Sequence, residues 1–408
     1  MQERIFIAIV IFLIQIVFQQ SFVKAEPIGA AIVKVADRLQ EEQIKQGINA
    51  GSWTGEINFT GPIVAGIANA CEVACKSEYL SAAELGANSI LMISQGNFYG
   101  DEAFALTRLS MISTDPNDPW RDIVSDYYSK IKYSGGTQAY ISNFYAIDPS
   151  IAVLYMSYHV LAAYYVDAND KKIWRQELIN LLSSVDDSSV YPVMALGAAV
   201  WALSQTGTLD QTIINNSLEY GASYWNSKRL AELPDLLISH QVQDGQPNAG
   251  SFYWQFGHKE GSPSGYTEDA IFATLGLTAV FESNPDPNLY YAIGNSCSAL
   301  LNGINMEDDE NEGTVWERLS REGAEYCAYA GEMLQALRAL IIPGDINLDG
   351  CVNFEDFEIF SNNWYAGDCA QQCWCNGADI DHNGIVDIED FKVFLDNWLR
   401  EMSFEENI

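Results

Sequence analysis

The sequence predicts an all-α chain in two parts: a large region of paired helices, then a small module of two metal-binding loops, each leading into a helix. Three observations carry that expectation. Between about Pro27 and Leu340 apolar residues recur at helical spacing, with almost no strand-like alternation. Within that stretch, segments that are apolar on every side alternate with two-faced ones. Near the C-terminus, one twelve-residue pattern of Asp, Asn and Gly occurs twice in the same register.

Ahead of both parts, residues 1–25 read as an export signal. Arg4 precedes an apolar run from Ile5 to Phe18 that is too short to span a bilayer comfortably, and Val23-Lys24-Ala25 offers a cleavage site before Glu26. No later stretch is long and apolar enough for a membrane helix, so the expected location is secreted or at the cell surface. The chain carries 55 acidic and 21 basic residues, a net charge of −34. Such a surface repels phosphate backbones and anionic lipid, which excludes nucleic acid as an expected partner. Export makes disulfides the default for Cys71, Cys75, Cys297 and Cys327 in the large region and Cys351, Cys369, Cys373 and Cys375 in the tail. Complete pairing within each region is possible, and three connectivities stay open in each.

The large region, residues 26–341, divides into twelve expected helices. Six are apolar and rich in small residues, beginning near Gly61, Gly100, Pro149, Tyr191, Tyr266 and Ala324. Six more amphipathic ones lie near residues 28–47, 78–94, 119–132, 170–184, 209–226 and 286–303. Helices apolar all round are buried and two-faced helices are not, so the alternation implies an inner and an outer ring. The step from Tyr191 to Tyr266 is longer than the others, which implies an extra helix or loop near Lys228 to Gln246. Helical hairpins that close at six make an (α/α)6 toroid; an open α-solenoid is the competing arrangement.

In a closed ring of hairpins, the loops entering the N-terminal ends of the inner helices converge at one end. Each of those loops carries an aromatic: Trp53, Tyr99, Tyr145, Tyr191, Trp254 and Trp316. Acids accompany them, namely Glu56, Asp101 with Glu102, Asp148, and Glu268 with Asp269, while Glu312, Glu317 and Glu325 surround the sixth helix start. One reading is a sugar groove with aromatic platforms and a carboxyl pair serving as general acid and base. The other is that the acids cap helices and the aromatics plug the mouth. The strongest candidates lie in the loop Asp244 to Asp269, facing Asp101 and Glu102 across the ring. They are Asp101, Glu102, Glu268, Asp269 and His258 for catalysis, and Trp53, Tyr99, Tyr145, Trp254, Tyr266 and Trp316 for substrate binding. His258 sits on a polar, Gly-rich loop, whereas His159 has mostly apolar neighbours and reads as core. A lyase would use Tyr266 or His258 as base, with Lys259, Arg108, Arg318 or Arg321 neutralising a uronate. Asp308-Asp309-Glu310 lies in a polar loop, which does not suit the acidic donor of a terpene cyclase.

The tail, residues 342–401, holds the two loops, and residues 402–408 follow it. Oxygen-bearing side chains fall at Asp345, Asn347, Asp349, Asn353 and Asp356, with Gly350 at the sixth position; Asp379, Asp381, Asn383, Asp387 and Asp390 repeat the spacing around Gly384. The backbone carbonyls of Cys351 and Ile385 complete each set. A hard cation that needs six to eight oxygens fits this pattern, so two calcium ions are expected. Each loop enters a short amphipathic helix, Phe354 to Phe360 and Ile388 to Phe394, and both end alike at Asn363-Trp364 and Asn397-Trp398. Four tail cysteines could instead hold zinc, but they lack paired C-x-x-C units.

From Gly344 to Arg400 these loops and helices resemble a type I dockerin, with Asp rather than Glu closing each loop. The resemblance implies calcium and a cohesin-like partner module on a scaffold or surface, with the helices as contact face. The insert Cys369 to Cys375 departs from the family, as do Phe354-Glu355 and Ile388-Glu389 where dockerins often carry small hydroxyl residues. Upstream, the recurring Gly51-Ser52-Trp53, Gly250-Ser251-Phe252-Tyr253-Trp254 and Gly313-Thr314-Val315-Trp316 make the large region resemble six-hairpin glycosidase and terpenoid-cyclase-like toroids. Together the resemblances imply a secreted carbohydrate-active enzyme that hydrolyses O-glycosidic bonds in polysaccharide. A non-catalytic toroid binding glycan or protein, and a polysaccharide lyase, are the alternatives.

Overall fold

Small side chains decide how this chain packs. The computed structural model describes residues 28–113, 117–131, 137, 141–214, 228–257, 263–369 and 373–401, leaving outside it the expected export signal, His258 and Lys259. Six of its helices are buried on almost every side: α2 (Thr60–Ala74), α4 (Gly100–Ile112), α6 (Pro149–Tyr165), α8 (Pro192–Gln205), α10 (Thr267–Ser283) and α12 (Cys327–Leu340). Each packs against the next, and α12 packs back against α2. Close backbone approach makes this possible: a Cβ on Gly66 of α2 would stand 2.2 Å from the Gly331 carbonyl oxygen of α12, and one on Gly197 of α8 would stand 2.5 Å from the backbone of Phe272 on α10.

Between these run α1 (Ile28–Glu42), α3 (Ser77–Ser94), α5 (Trp120–Ile131), α7 (Lys171–Leu182), α9 (Leu233–Ser239) and α11 (Pro287–Asn302). Every one touches two of the buried helices, α1 spanning α2 and α12, and α9 spanning α8 and α10. Their apolar stripes face inward and their charged faces outward, as two-faced helices require. Of the outer helix expected at 209–226, only residues 209–214 are described, and they are not helical. Residues 228–229 return alongside 212–214, with Ile213 bridging Arg229, and the short α9 lies outside α8 and α10. Residues 215–227 lie outside the described residues. The sixth inner helix also starts later than expected, because β1 (Trp316–Arg318) and β2 (Glu322–Glu325) pair antiparallel ahead of it around left-handed Arg321 and Gly323.

The Gly-Ser-Trp recurrences have a common local build. Gly51, Gly250 and Gly313 have φ of +94°, +82° and +78°, and each lies so near an outer helix that a Cβ would fall 2.1–2.3 Å from a carbonyl oxygen of Leu85, Asn295 or Lys34. Paired amides close each loop: Ile44 donates to Ser52, Val242 to Ser251, and Asn305 to Thr314. The motif therefore staples loops onto outer helices. Trp53 belongs to that staple, fully buried with its indole N–H donating to the Leu39 carbonyl at 2.8 Å.

The tail carries α13 (Phe354–Asn362) and α14 (Ile388–Asp396). Val352 and Phe394 join the main core, while Phe360, Cys369, Cys375, Ala378 and Val386 form a small core of their own. The tail is seated on the C-terminal ends of the buried helices: Arg400 lies 4.7 Å over the Phe281 ring, and His382 Nδ1 lies 3.6 Å from Glu72. Cys369 and Cys375 form a disulfide, and Cys75 is disulfide-bonded. Cys71, Cys297, Cys327 and Cys351 are free thiols, so the complete pairing within regions that export suggests does not occur. Among the described residues no helix is long and apolar enough to cross a membrane.

Candidate functional site

All six buried helices send their N-terminal ends to one cavity of about 440 Å³. Its wall takes Pro62 from α2, Asp101 from α4, Tyr155 from α6, Met194 from α8, Glu268 from α10 and Glu332 from α12. A second cavity, about 230 Å³, adjoins it through the shared residues Tyr191, Glu268 and Tyr329, and is walled further by Trp254, Tyr266, Asp269 and Glu317.

The acids here divide by what their oxygens do. Glu56 accepts from the Cys327 and Ala328 amides at 2.5 and 2.7 Å, capping α12. Glu102 accepts from the Tyr99 amide at 2.8 Å, Asp148 from Ser150 at 2.9 Å, and one oxygen of Asp269 from Met194 at 3.1 Å. These are helix-start bonds of the ordinary kind. Asp101 Oδ1, Asp269 Oδ2 and Glu332 Oε2 are different: all are buried and none has a hydrogen-bond partner.

Burial governs their protonation. Loss of water raises the Asp101 carboxyl to about 7, and loss of water with the charge of Asp101 raises Glu102 to about 8. Burial, then the neighbouring Glu317, raises Glu268 to about 7. Asp269 and Glu332 are pushed well above the carboxylate range, chiefly by burial and then by Glu268. Neither cavity has a Lys, Arg or His among its described lining residues. Arg318 stacks 4.2 Å over the Tyr266 ring and donates to its hydroxyl at 2.7 Å. Carboxyls so placed keep their protons near neutral pH, which is what a general acid requires.

The tail loops gather acids in another way. Asp345, Asp349 and Asp356 bring carboxylate oxygens within 4.8 Å of one another, and so do Asp379, Asp381 and Asp390. Both loops fold by the same bonds. Asp345 accepts from the Asp349 and Gly350 amides at 3.1 and 3.0 Å, and Asp379 from Asn383 and Gly384 at 3.1 and 2.9 Å. Asp356 and Asp390, both buried, reach back across their loops to Ile346 and Asp381. The turn glycines, Gly350 and Gly384, have φ of +92° and +95°. Asn353 and Asp387 turn to capping α13 and α14, accepting from Glu355 and Glu389 at 2.6 and 2.8 Å. Asn347 and Asn383 bond within their own loops to Asp349 and Asp381. Each loop is thus a place that could hold a metal ion.

Family models, curated proteins and solved structures give no match to this chain. The site therefore rests on its own geometry.

Of the catalytic candidates, Asp101, Glu268 and Asp269 come together at the cavities, Glu102 is spent on a cap, and His258 lies outside the described residues. Among the aromatic candidates, Trp254 and Tyr266 line the smaller cavity. Trp53 is core, Tyr99 is exposed and packs on Tyr155 with ring centres 5.7 Å apart, and Trp316 lines neither cavity, its carbonyl accepting from the Thr267 hydroxyl at 2.6 Å. The Tyr145 side chain lies outside the description. His159 is core as read, stacked on Trp174 at 4.9 Å, and burial pushes it down to about 3. Reading the sequence missed Glu332, Tyr155 and Tyr329. A signal for Glu332 was present: it is a lone acid in the otherwise apolar run Gly331-Glu332-Met333-Leu334.

Proposed function

We propose that this chain is a secreted carbohydrate-active enzyme that hydrolyses O-glycosidic bonds in a polysaccharide, held to a scaffold or surface by its tail. The observation that carries this is the convergence of six helix starts on a pocket of carboxyls with no described cation in its wall, beside Trp254 and tyrosine rings. Hydrolysis needs one carboxyl that donates a proton to the leaving oxygen and a second that ionises. Glu268, at the junction of the two cavities, is the donor in this reading, and Asp101 the base. Trp254, Tyr266 and Tyr191 supply faces on which sugar rings stack.

The fold reading is an (α/α)6 toroid followed by a dockerin-like module. The contact circuit from α2 through α12 and back to α2 supports the first part, and the matching acid triads support the second. Two calcium ions fit the loops, because Asp345 and Asp379 are raised by burial and then crowded by neighbouring acids, and the described donors are all oxygens. They would be held by Asp345, Asn347, Asp349 and Asp356, and by Asp379, Asp381, Asn383 and Asp390, with the Cys351 and Ile385 carbonyls. Bound there, calcium would neutralise the clustered carboxylates of each loop. The partner is a cohesin-like module meeting the exposed Phe354, Phe357, Ile388 and Leu395 of α13 and α14.

Arg318 on Tyr266 gives the lyase reading one specific observation, a phenol beside a guanidinium. A wall of carboxyls disfavours an anionic uronate, so hydrolysis is the better supported reading. Incubation with a panel of polysaccharides, reading reducing ends and unsaturated uronates separately, distinguishes the two. Hydrolysis should release reducing ends alone, and Glu268→Gln should lower the rate by about 10²- to 10⁴-fold. Retained glycan binding with no product from any polymer would leave a non-catalytic binding protein.

A further inference from the structure

The cavity holds more carboxyl groups than hydrolysis uses. Glu332 is the surplus one. It caps no helix, lies in the second turn of α12 among apolar residues, and is buried with Oε2 unpartnered. It faces Glu268 and Asp101 from α10 and α4, and Glu56 beyond the start of α2. Nothing in the described wall neutralises this group, although the same chain supplies two arginines to the buried Glu72 at the opposite end of the helices. A carboxyl kept without a partner in an apolar helix lowers stability unless something brought from outside satisfies it.

We propose that this cavity takes an amino-sugar chain bearing free, protonated amines, and that Glu332 receives the ammonium group. The proposal rests on the carbohydrate reading above and adds the substrate class. An ammonium group donates up to three hydrogen bonds, matching the open oxygens of Asp101 and Glu332. The rings of Tyr155, Tyr329 and Trp254 then serve both the sugar faces and the cation, since aromatic faces attract positive charge. An acetylated amine has neither the charge nor the donors.

Calorimetry on the full chain near pH 7, with calcium present, tests this using short oligomers of glucosamine, N-acetylglucosamine and glucose of equal length. The glucosamine oligomer should bind about 10- to 100-fold tighter than either neutral one, the worth of one charge-assisted hydrogen bond. Its binding heat should vary with the buffer, because carboxyls that were protonated ionise as the amine enters. Glu332→Gln should shrink the preference, and the buffer dependence of the native chain is read without any variant. Equal affinity for all three sugars overturns the proposal, as does a preference unchanged in Glu332→Gln. Spermidine competing as strongly as the sugar overturns the assignment to a sugar. Cleavage of glucose oligomers without amine preference would sink this inference and leave the hydrolase reading standing; amine-dependent binding without cleavage of any oligomer would do the reverse.

Discussion

The two ends of the buried helices treat carboxyl groups in opposite ways. At the C-terminal end, the Glu72 side chain is only 6% exposed, and it accepts from Arg108 and Arg338, both at 2.6 Å. Burial alone would raise it; the Arg338 and Arg108 charges outweigh that and hold it down to about 2. At the N-terminal end, Asp101 and Glu332 are buried and Glu268 is half-buried, with no described lysine, arginine or histidine in the cavity wall, and all are raised. Burial is common to both ends, so the presence of a partner separates them. Around Glu72 this chain provides the cations, and among the described residues lining the N-terminal cavity it does not.

The largest expected effect breaks the paired end. Arg108→Met together with Arg338→Met strands the Glu72 charge without a guanidinium, and denaturant unfolding should show a loss of about 3–5 kcal/mol. Glu332→Gln at the other end removes no ion pair and should change stability by less than about 1 kcal/mol. Equal losses at both ends would dissolve the contrast. Metal removal ranks next. An ion held at a hundredfold excess over its dissociation constant stabilises by about 2.7 kcal/mol. Because Val352 and Phe394 belong to the main core, chelation should lower one common melting transition; a separate low-temperature transition would mean that the tail melts alone.

Much of this contrast was legible in the sequence, and its limits have physical causes. The starts of five buried helices lay within a residue or two of Gly61, Gly100, Pro149, Tyr191 and Tyr266, because apolar small-residue runs bounded by Gly, Pro or an aromatic leave few alternatives. Asp101 and Glu268 were placed at the right end of those helices for the same reason. Glu332 carries no loop signal, because this acid lies inside a helix. Trp53 was misplaced because Gly-Ser-Trp reads alike whether the indole faces a groove or staples a loop; only the Leu39 carbonyl tells which. The pairing of Glu72 joins α2, α4 and α12, and no local pattern announces contacts between positions so far apart.

Acidity sharpens the comparison with a smaller effect. Asp101 and Glu268 keep protons up to about 7 in the folded chain, whereas unfolded carboxyls release them near about 4. Stability should therefore fall as pH rises through that window, by at most about 1.4 kcal/mol per pH unit for each group. Glu72 works in the other direction: its contribution is complete above the ordinary glutamate value and is lost as pH falls towards about 2. Melting curves from mildly acid to mildly alkaline buffer, at fixed metal concentration, should decline with pH, and Glu268→Gln should make the decline shallower. A slope that the substitution leaves unchanged would assign it to the net surface charge instead.

The smallest effect concerns how the tail reaches the paired end. Leu348 lies inside the first metal loop, between Asn347 and Asp349, and a Cβ on Gly29 of α1 would stand 2.8 Å from its Cβ and 2.9 Å from its Cδ1. Gly29→Ala must therefore push Leu348 aside, an overpacking cost of about 1 kcal/mol. The second loop contacts the body elsewhere, through His382 beside Glu72, so the strain should reach only one of the two sites. Calorimetric titration with metal should show the first site weakened about fivefold, equivalent to that 1 kcal/mol, and the second unchanged. Two sites that weaken together would mean the module responds as a unit, and no change at either would mean that the contact with α1 carries no strain into the loop.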